Sequence, residues 1–133
     1  KVAVGNINNP GEFQYSEVPP ISPDNEPYNG KLVILVNEFT QSMAEFTAMA
    51  FRAGVNTTII GSTTAGTDGG ARQVFLPGNL KTMITGYGVF YPNGKQTQRV
   101  GIIPDITSSP TIEGIKNGKD EILEKAIEII NYE

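Results

Sequence analysis

The chain has 133 residues, 38% apolar and 18% charged, with ten Lys and Arg against fourteen Asp and Glu for a net charge of −4. This is enough for one domain with a core, and an acidic balance without any basic run excludes nucleic acid and anionic membrane surfaces as partners. Cysteine and histidine are both absent, which removes a disulfide framework, a thiolate nucleophile and an imidazole base from these residues. No apolar stretch approaches the roughly 18 residues of a membrane span, so no membrane insertion is expected. The sequence has neither an initiator Met nor a signal-like start, and is expected to begin within a longer protein.

In chain order, residues 1–30 hold five of the nine prolines and read as an irregular arm or connecting loop, with at most a short strand at Val2 to Val4. Such a lead-in fits a cut inside a larger domain as well as a natural extended arm. Lys31 to Arg52, KLVILVNEFTQSMAEFTAMAFR, then reads as a strand running through a tight turn into a helix. Leu32 to Val36 has the length and β-branched content of a strand buried on both faces. Met43, Phe46, Ala50 and Ala53 recur at helical spacing, with Met49 beside them, and Gly54 marks the stop. Thr57 to Ile60, ended by Gly61, completes a βαβ unit.

The small-residue loop Gly61 to Gly70 follows. Val74 to Leu76 and Leu80 to Tyr87 flank Pro77-Gly78-Asn79, the chemistry of a hairpin turn. Gly88 to Tyr91 reads as a further strand, Pro92-Asn93-Gly94 as a turn, and Gln96 to Ile103 as a last strand before Pro104 and Asp105. Lys119 to Tyr132 is an amphipathic helix, with Ile122, Leu123, Ala126, Ile127 and Ile130 on its apolar side.

Ser42 stands at the junction of strand and helix, where free N–H groups and the helix dipole favour an anion. It also opens Ser42-Met43-Ala44-Glu45, the S-x-x-E of a capping box, and by spacing alone it reads as a cap. Gly61 and Gly66 have the spacing of a phosphate loop, but Thr67 stands where that motif needs Lys, so composition gives only a flexible loop. Glu38, Asp68 and Asp105 lack metal-ligand spacing, and no metal is expected.

Taken in order, these residues resemble the C-terminal half of the catalytic domain of C-terminal-processing (tail-specific) serine peptidases and their tricorn-like relatives. Thr40-Gln41-Ser42-Met43-Ala44-Glu45 is similar to the family's T-A-S-A-S/A-E, whose middle serine is the nucleophile. Ile60-Gly61-Ser62-Thr63-Thr64-Ala65-Gly66 resembles V-G-x-x-T-F-G, Tyr91-Pro92-Asn93-Gly94 resembles Y-x-P-x-G, and Gly101-Ile102-Ile103-Pro104-Asp105 resembles G-I-x-P-D. The resemblance implies an α/β fold of the crotonase/ClpP-like type, a βαβ core with an added antiparallel hairpin region and a C-terminal amphipathic helix. Residues 31–133 would be the C-terminal part of the catalytic domain.

It implies Ser42 as nucleophile, the Met43 N–H as an oxyanion donor, and Gly66 and Thr67 lining the site of a serine-type endopeptidase that takes peptide or protein substrates without a cofactor. The processing peptidases place a lysine base where Thr67 stands, and Lys81 and Lys95, the next lysines, fall at hairpin positions. The tricorn-like branch instead uses a histidine from upstream polypeptide and an acidic residue before the closing motif. Here that position is Gln98, which can orient a partner but holds no charge. The fragment alone is therefore expected to be inactive. Relatives work mostly in cell envelopes or are secreted. The missing lysine and Gln98 leave a second reading open, a peptidase-like domain that has lost catalysis and binds peptides or a small apolar ligand.

Overall fold

In the computed structural model, residues 2–6, 8–9, 11–16, 26 and 28–132 are described. The elements in order are β1 (Val2–Gly5), β2 (Phe13–Ser16), β3 (Leu32–Val36), α1 (Met43–Arg52), β4 (Thr57–Gly61), β5 (Ala71–Leu76), β6 (Leu80–Thr85), β7 (Tyr87–Val89), β8 (Ile106–Thr107), α2 (Ile112–Lys116) and α3 (Glu121–Tyr132). β3, β4 and β8 form a parallel sheet, with Leu32 opposite Thr57 and Ile60 opposite Ile106. An antiparallel sheet is ordered β2-β1-β7, and β5 and β6 make a separate hairpin. No helix among the described residues is long and apolar enough to cross a membrane.

The alternation of side chains along the parallel strands creates two cores. Val36 and Ile59 pack with Ala48 and Met49 of α1, and with Val89 and Ile102, on one face. Ile60 packs with Ala126 and Ile129 of α3 on the other, with Val33 and Ile106 beside them. The result is a helix, sheet, helix sandwich in which the loops after β3 and β4 lie together at the carboxyl end of the sheet, where α/β folds gather ligands. Asp105 fastens the layers: its carboxylate accepts the Ile59 N–H at 2.8 Å and meets Arg52 of α1 at 3.4 Å.

Several sequence expectations are corrected. The short strand expected at Val2 to Val4 forms as β1, pairing with β7 far along the chain, but the arm also carries β2, where no strand was expected. Leu32 to Val36 is less enclosed than a strand covered on both faces. Among the described residues it is an edge strand, and Leu35 is exposed. Both long helices bury only part of the expected face. In α1 the expected Met49 is buried and Phe46 packs on the core, but Glu45 and Ala48 join them and Met43 is exposed; in α3 the expected Ala126 is buried with Ile122 beside it, but Ile129 joins them and Leu123, Ile127 and Ile130 lie outside.

The strand expected from Gln96 to Ile103 does not form beyond a bridge between Phe90 and Gln96. Arg99 at φ 64° and Gly101 at φ 78° break the extended path. The backbone there pairs with the glycine loop instead, Arg99 N–H to Gly66 O at 2.7 Å and Thr64 N–H to Ile102 O at 3.3 Å. That loop is pinned, with Thr64, Gly66 and Asp68 buried. α2 and β8 fall where a plain loop was expected.

Candidate active site

The turn from β3 into α1 is built locally. Asn37 Oδ1 accepts the N–H groups of Phe39 at 3.0 Å and Thr40 at 3.1 Å, folding the chain back after the strand. Ser42 then adopts φ 54°, ψ −121° before the first helical residue. That conformation suits glycine, and for a serine it costs on the order of 1–3 kcal/mol. The strain is accompanied by exposure, since the Ser42 side chain lies at the surface. Ser42 and Glu45 form a capping box in which the Glu45 carboxylate takes the Ser42 N–H at 2.9 Å, while the Glu45 N–H also goes to Ser42's own carbonyl at 2.9 Å. No hydrogen bond among the described residues takes up the Met43 N–H, which is left at the positive end of the helix. Ser42→Gly is accordingly expected to stabilise the fold by about 1 kcal/mol, read as a higher urea midpoint, because glycine holds this conformation unstrained.

Glu45 holds the turn in this state. The side chain is 1% exposed and accepts five hydrogen bonds. Oε2 takes the Ser42 N–H and the Thr67 N–H, each at 2.9 Å, and the Thr67 hydroxyl at 3.4 Å. Oε1 takes the Gly66 N–H at 2.7 Å and the Thr64 hydroxyl. One buried carboxylate thus fixes the serine turn to the glycine loop. Two further links join the same loops at the rim, Ser62 Oγ to Glu38 at 2.8 Å and Ala65 N–H to Thr40 O at 3.0 Å.

Beyond Thr67 the loop borders a cavity of about 370 Å³ lined by Gly66, Thr67, Asp68, Thr85, Gln98 and Arg99, among others. Asp68 is 5% exposed. Burial pushes its carboxyl above the ordinary aspartate value of 3.8, the Gly69 N–H pulls it back, and the nearby Glu45 charge adds to the rise. Gln98 reaches this cavity too, but its amide is engaged with β7, donating to Tyr87 O at 3.1 Å and accepting from Val89 N–H at 3.4 Å.

Of the sequence candidates, Ser42, Gly66 and Thr67 are therefore drawn together through Glu45, with Met43 next to Ser42. Gln98 joins them only across the cavity. Lys81 is on the hairpin with its amine 5.6 Å from the Phe75 ring centre. The sequence reading missed Asp68 and the second task of Glu45. The S-x-x-E spacing marked Glu45 as a cap partner, but nothing in the pattern indicates that its carboxylate also receives residues 64–67.

The sequence profile of peptidase family S41 matches residues 7–108. Among solved structures, a peptidase-like protein from Parabacteroides merdae ATCC 43184 is 26% identical with a TM-score of 0.75, the match covering 82% of this chain and 34% of that one. Mature CPAF is 27% identical with a TM-score of 0.65, over 74% of this chain and 20% of that one. The tricorn protease shares the fold at 18% identity and a TM-score of 0.67, over 86% of this chain and 12% of that one. No curated protein matches the sequence. The chain spans about a third or less of the length of these solved structures. With its glycine loop, its strained serine and the closing Pro-Asp segment all lying inside the matched residues, the chain belongs to peptidase family S41.

Proposed function

We propose that the full-length protein is a serine endopeptidase working by acyl transfer, with Ser42 as its nucleophile. The observation that carries this reading is the backbone of Ser42, an exposed serine kept at φ 54° on a strand-to-helix turn, a conformation that helix capping does not require. Strain of this kind persists where function requires it. In the reaction, Ser42 Oγ attacks the carbonyl carbon of a peptide bond as its proton passes to a base. The oxyanion that develops accepts from the Met43 N–H. The C–N bond then breaks, the base returns the proton to the leaving amine, and water hydrolyses the acyl-serine ester to regenerate Ser42. Gly66 and Thr67 line the site, and the substrate is a peptide or protein.

The base lies outside these residues, which contain no histidine. Thr67 has no basic group, and both its N–H and its hydroxyl point to Glu45. Residues 31–133 form the C-terminal part of the catalytic domain, with residues 1–30 leading into it, and the mixed α/β fold is of the crotonase/ClpP-like type. The β3–α1–β4 crossover and the parallel β8 support that assignment.

A fluorophosphonate probe is expected to label the full-length protein, to fail on Ser42→Ala, and to leave the isolated 133-residue chain unlabelled. Labelling that persists in Ser42→Ala would remove Ser42 from the role. The commitment of Thr67 to Glu45, at the position where the processing peptidases keep their base, favours a second reading, a domain that binds peptides without cleaving them. A full-length protein that resists the probe while retaining a peptide on a binding column would support it.

A further inference from the structure

The antiparallel sheet β2-β1-β7 turns one face to the core, through Val89. Residues directly paired across strands share a face, and faces alternate along each strand, so the register gathers Ala3, Gly5, Phe13, Tyr15 and Gly88 on the opposite face. That face is hollow. A trough of about 420 Å³ lies over it, lined by these five residues and by Phe90, which follows Gly88 by the same alternation.

A glycine in a sheet leaves a gap that a neighbouring ring commonly covers. Gly88 is covered in this way: a Cβ there would lie 2.8 Å from the Phe90 ring. Tyr15 closes on the same ring edge to face, with 5.9 Å between centres and 64° between planes. Gly5 is different. Phe13 is its direct partner on β2, yet nothing lies within 4 Å of a Cβ built at Gly5. The Phe13 ring is 60% exposed and has no ring partner among the described residues. Beside Phe13 there is therefore an open slot with a backbone floor, next to a ring pair that is already formed.

The lining selects what enters. No charged side chain borders the trough, and Thr85, Gln96 and Gln98 supply neutral polar groups. A charged group would lose hydration there without gaining a counterion, whereas an aromatic ring gains contact with exposed aromatic surface. Position narrows the occupant further. Thr85, Gln96 and Gln98 also line the cavity that borders Gly66 and Thr67, so the trough is continuous with the candidate site. Neither Ser42 nor Met43 lines either space, which puts the trough away from the bond under attack.

We propose that the trough is a remote subsite for an aromatic side chain of the bound peptide, received over Gly5 against the ring of Phe13. This rests on the reading that the site takes peptides, and it holds whether they are cleaved or only held. Binding energy gained away from the reacting atoms sets which peptide is chosen and in which register it lies, and leaves the bond-making step to the residues around Ser42.

The test is binding to the full-length protein carrying Ser42→Ala, which prevents turnover. The probes are fluorescein-labelled dodecapeptides of Gly, Ser and Ala with one central residue varied, followed by fluorescence polarisation. Phenylalanine at that position is expected to bind about tenfold or more tighter than alanine, and lysine no tighter than alanine. Gly5→Leu fills the slot. Gly5 is not at positive φ and its Cβ would meet nothing, so the urea midpoint is expected to stay in place. The phenylalanine peptide is then expected to fall to within about twofold of the alanine peptide. Should Gly5→Leu not fold, Phe13→Ala, which removes an exposed ring, is expected to do the same.

Absence of a phenylalanine advantage, or an advantage that survives both variants, overturns the proposal. So does a missing advantage together with a lowered urea midpoint in Gly5→Leu, the result expected if upstream polypeptide of the same protein already fills the trough. Wild-type protein that the fluorophosphonate probe fails to label, with the phenylalanine advantage present and lost in Gly5→Leu, defeats the peptidase reading and leaves the subsite standing. A labelled Ser42 without the advantage defeats the subsite alone.

Discussion

Glu45→Leu is expected to lower the unfolding free energy by about 4 kcal/mol or more, measured as a fall in the urea midpoint or as loss of cooperative unfolding. The estimate follows from what the carboxylate holds. It accepts the main-chain N–H groups of Ser42, Gly66 and Thr67 together with the Thr64 hydroxyl, in a place that is 1% exposed. A leucine of similar bulk fills the space and leaves those donors without an acceptor, each at roughly 1–3 kcal/mol unless water enters. Glu45→Gln separates charge from acceptor capacity. Wherever its NH₂ is put, it faces at least one main-chain N–H, so a loss of about 2 kcal/mol is expected, smaller than for leucine. A leucine variant within 1 kcal/mol of wild type would mean that the serine turn and the glycine loop are held together by something else.

Gly61→Ala is expected to cost about 3 kcal/mol or more, read as a depressed midpoint of thermal or urea unfolding. Gly61 ends β4 at φ 135°, and a Cβ there would lie 1.7 Å from the Val36 carbonyl oxygen. That carbonyl also accepts the Ser62 N–H at 3.3 Å, so the collision falls where both loops of the site begin. The two strands would have to part at their carboxyl ends, carrying Ser42 away from residues 64–67. Gly78 is the control. It turns the hairpin at φ 83° with nothing within 4 Å of its Cβ position, and Gly78→Ala should cost only about 1 kcal/mol. Equal losses at the two positions would trace the effect to backbone conformation and not to the approach of β3.

The contrast between these glycines bears on what the sequence reveals. Strands and helices announce themselves through short-range pattern. The apolar run of β3, the β-branched run of β4, the Pro-Gly-Asn turn between β5 and β6 and the periodicity of α3 all lie at or near the positions where the sequence puts them. Which side of a helix turns inward is a long-range matter. In α1 the apolar period points to Met43 as well as to Phe46 and Met49, but Met43 is exposed and Glu45 is buried, its carboxylate outweighing a methionine because four residues depend on it. In α3 the residues facing the sheet are Ala126 and Ile129, on an inward side that the position of β4 decides.

The candidate site divides in the same way. Ser42, Met43, Gly66 and Thr67 were legible as a motif. Asp68 was not, because what marks it is burial beside a cavity whose far wall comes from residues 96–99, some thirty positions on. The segment from Gln96 to Ile103 read as a strand because its composition suits one. Its hydrogen bonds instead complete the glycine loop, and only the tertiary arrangement makes that demand.

The strained serine has a consequence for how this sequence responds to selection. Glycine at position 42 would relieve the backbone at φ 54° and keep the main-chain N–H that Glu45 holds. A population screened for thermal stability alone should therefore drift towards glycine there, as toward any substitution that raises stability without a folding penalty. A serine in that position is what a second selective pressure, acting against the first, would leave behind.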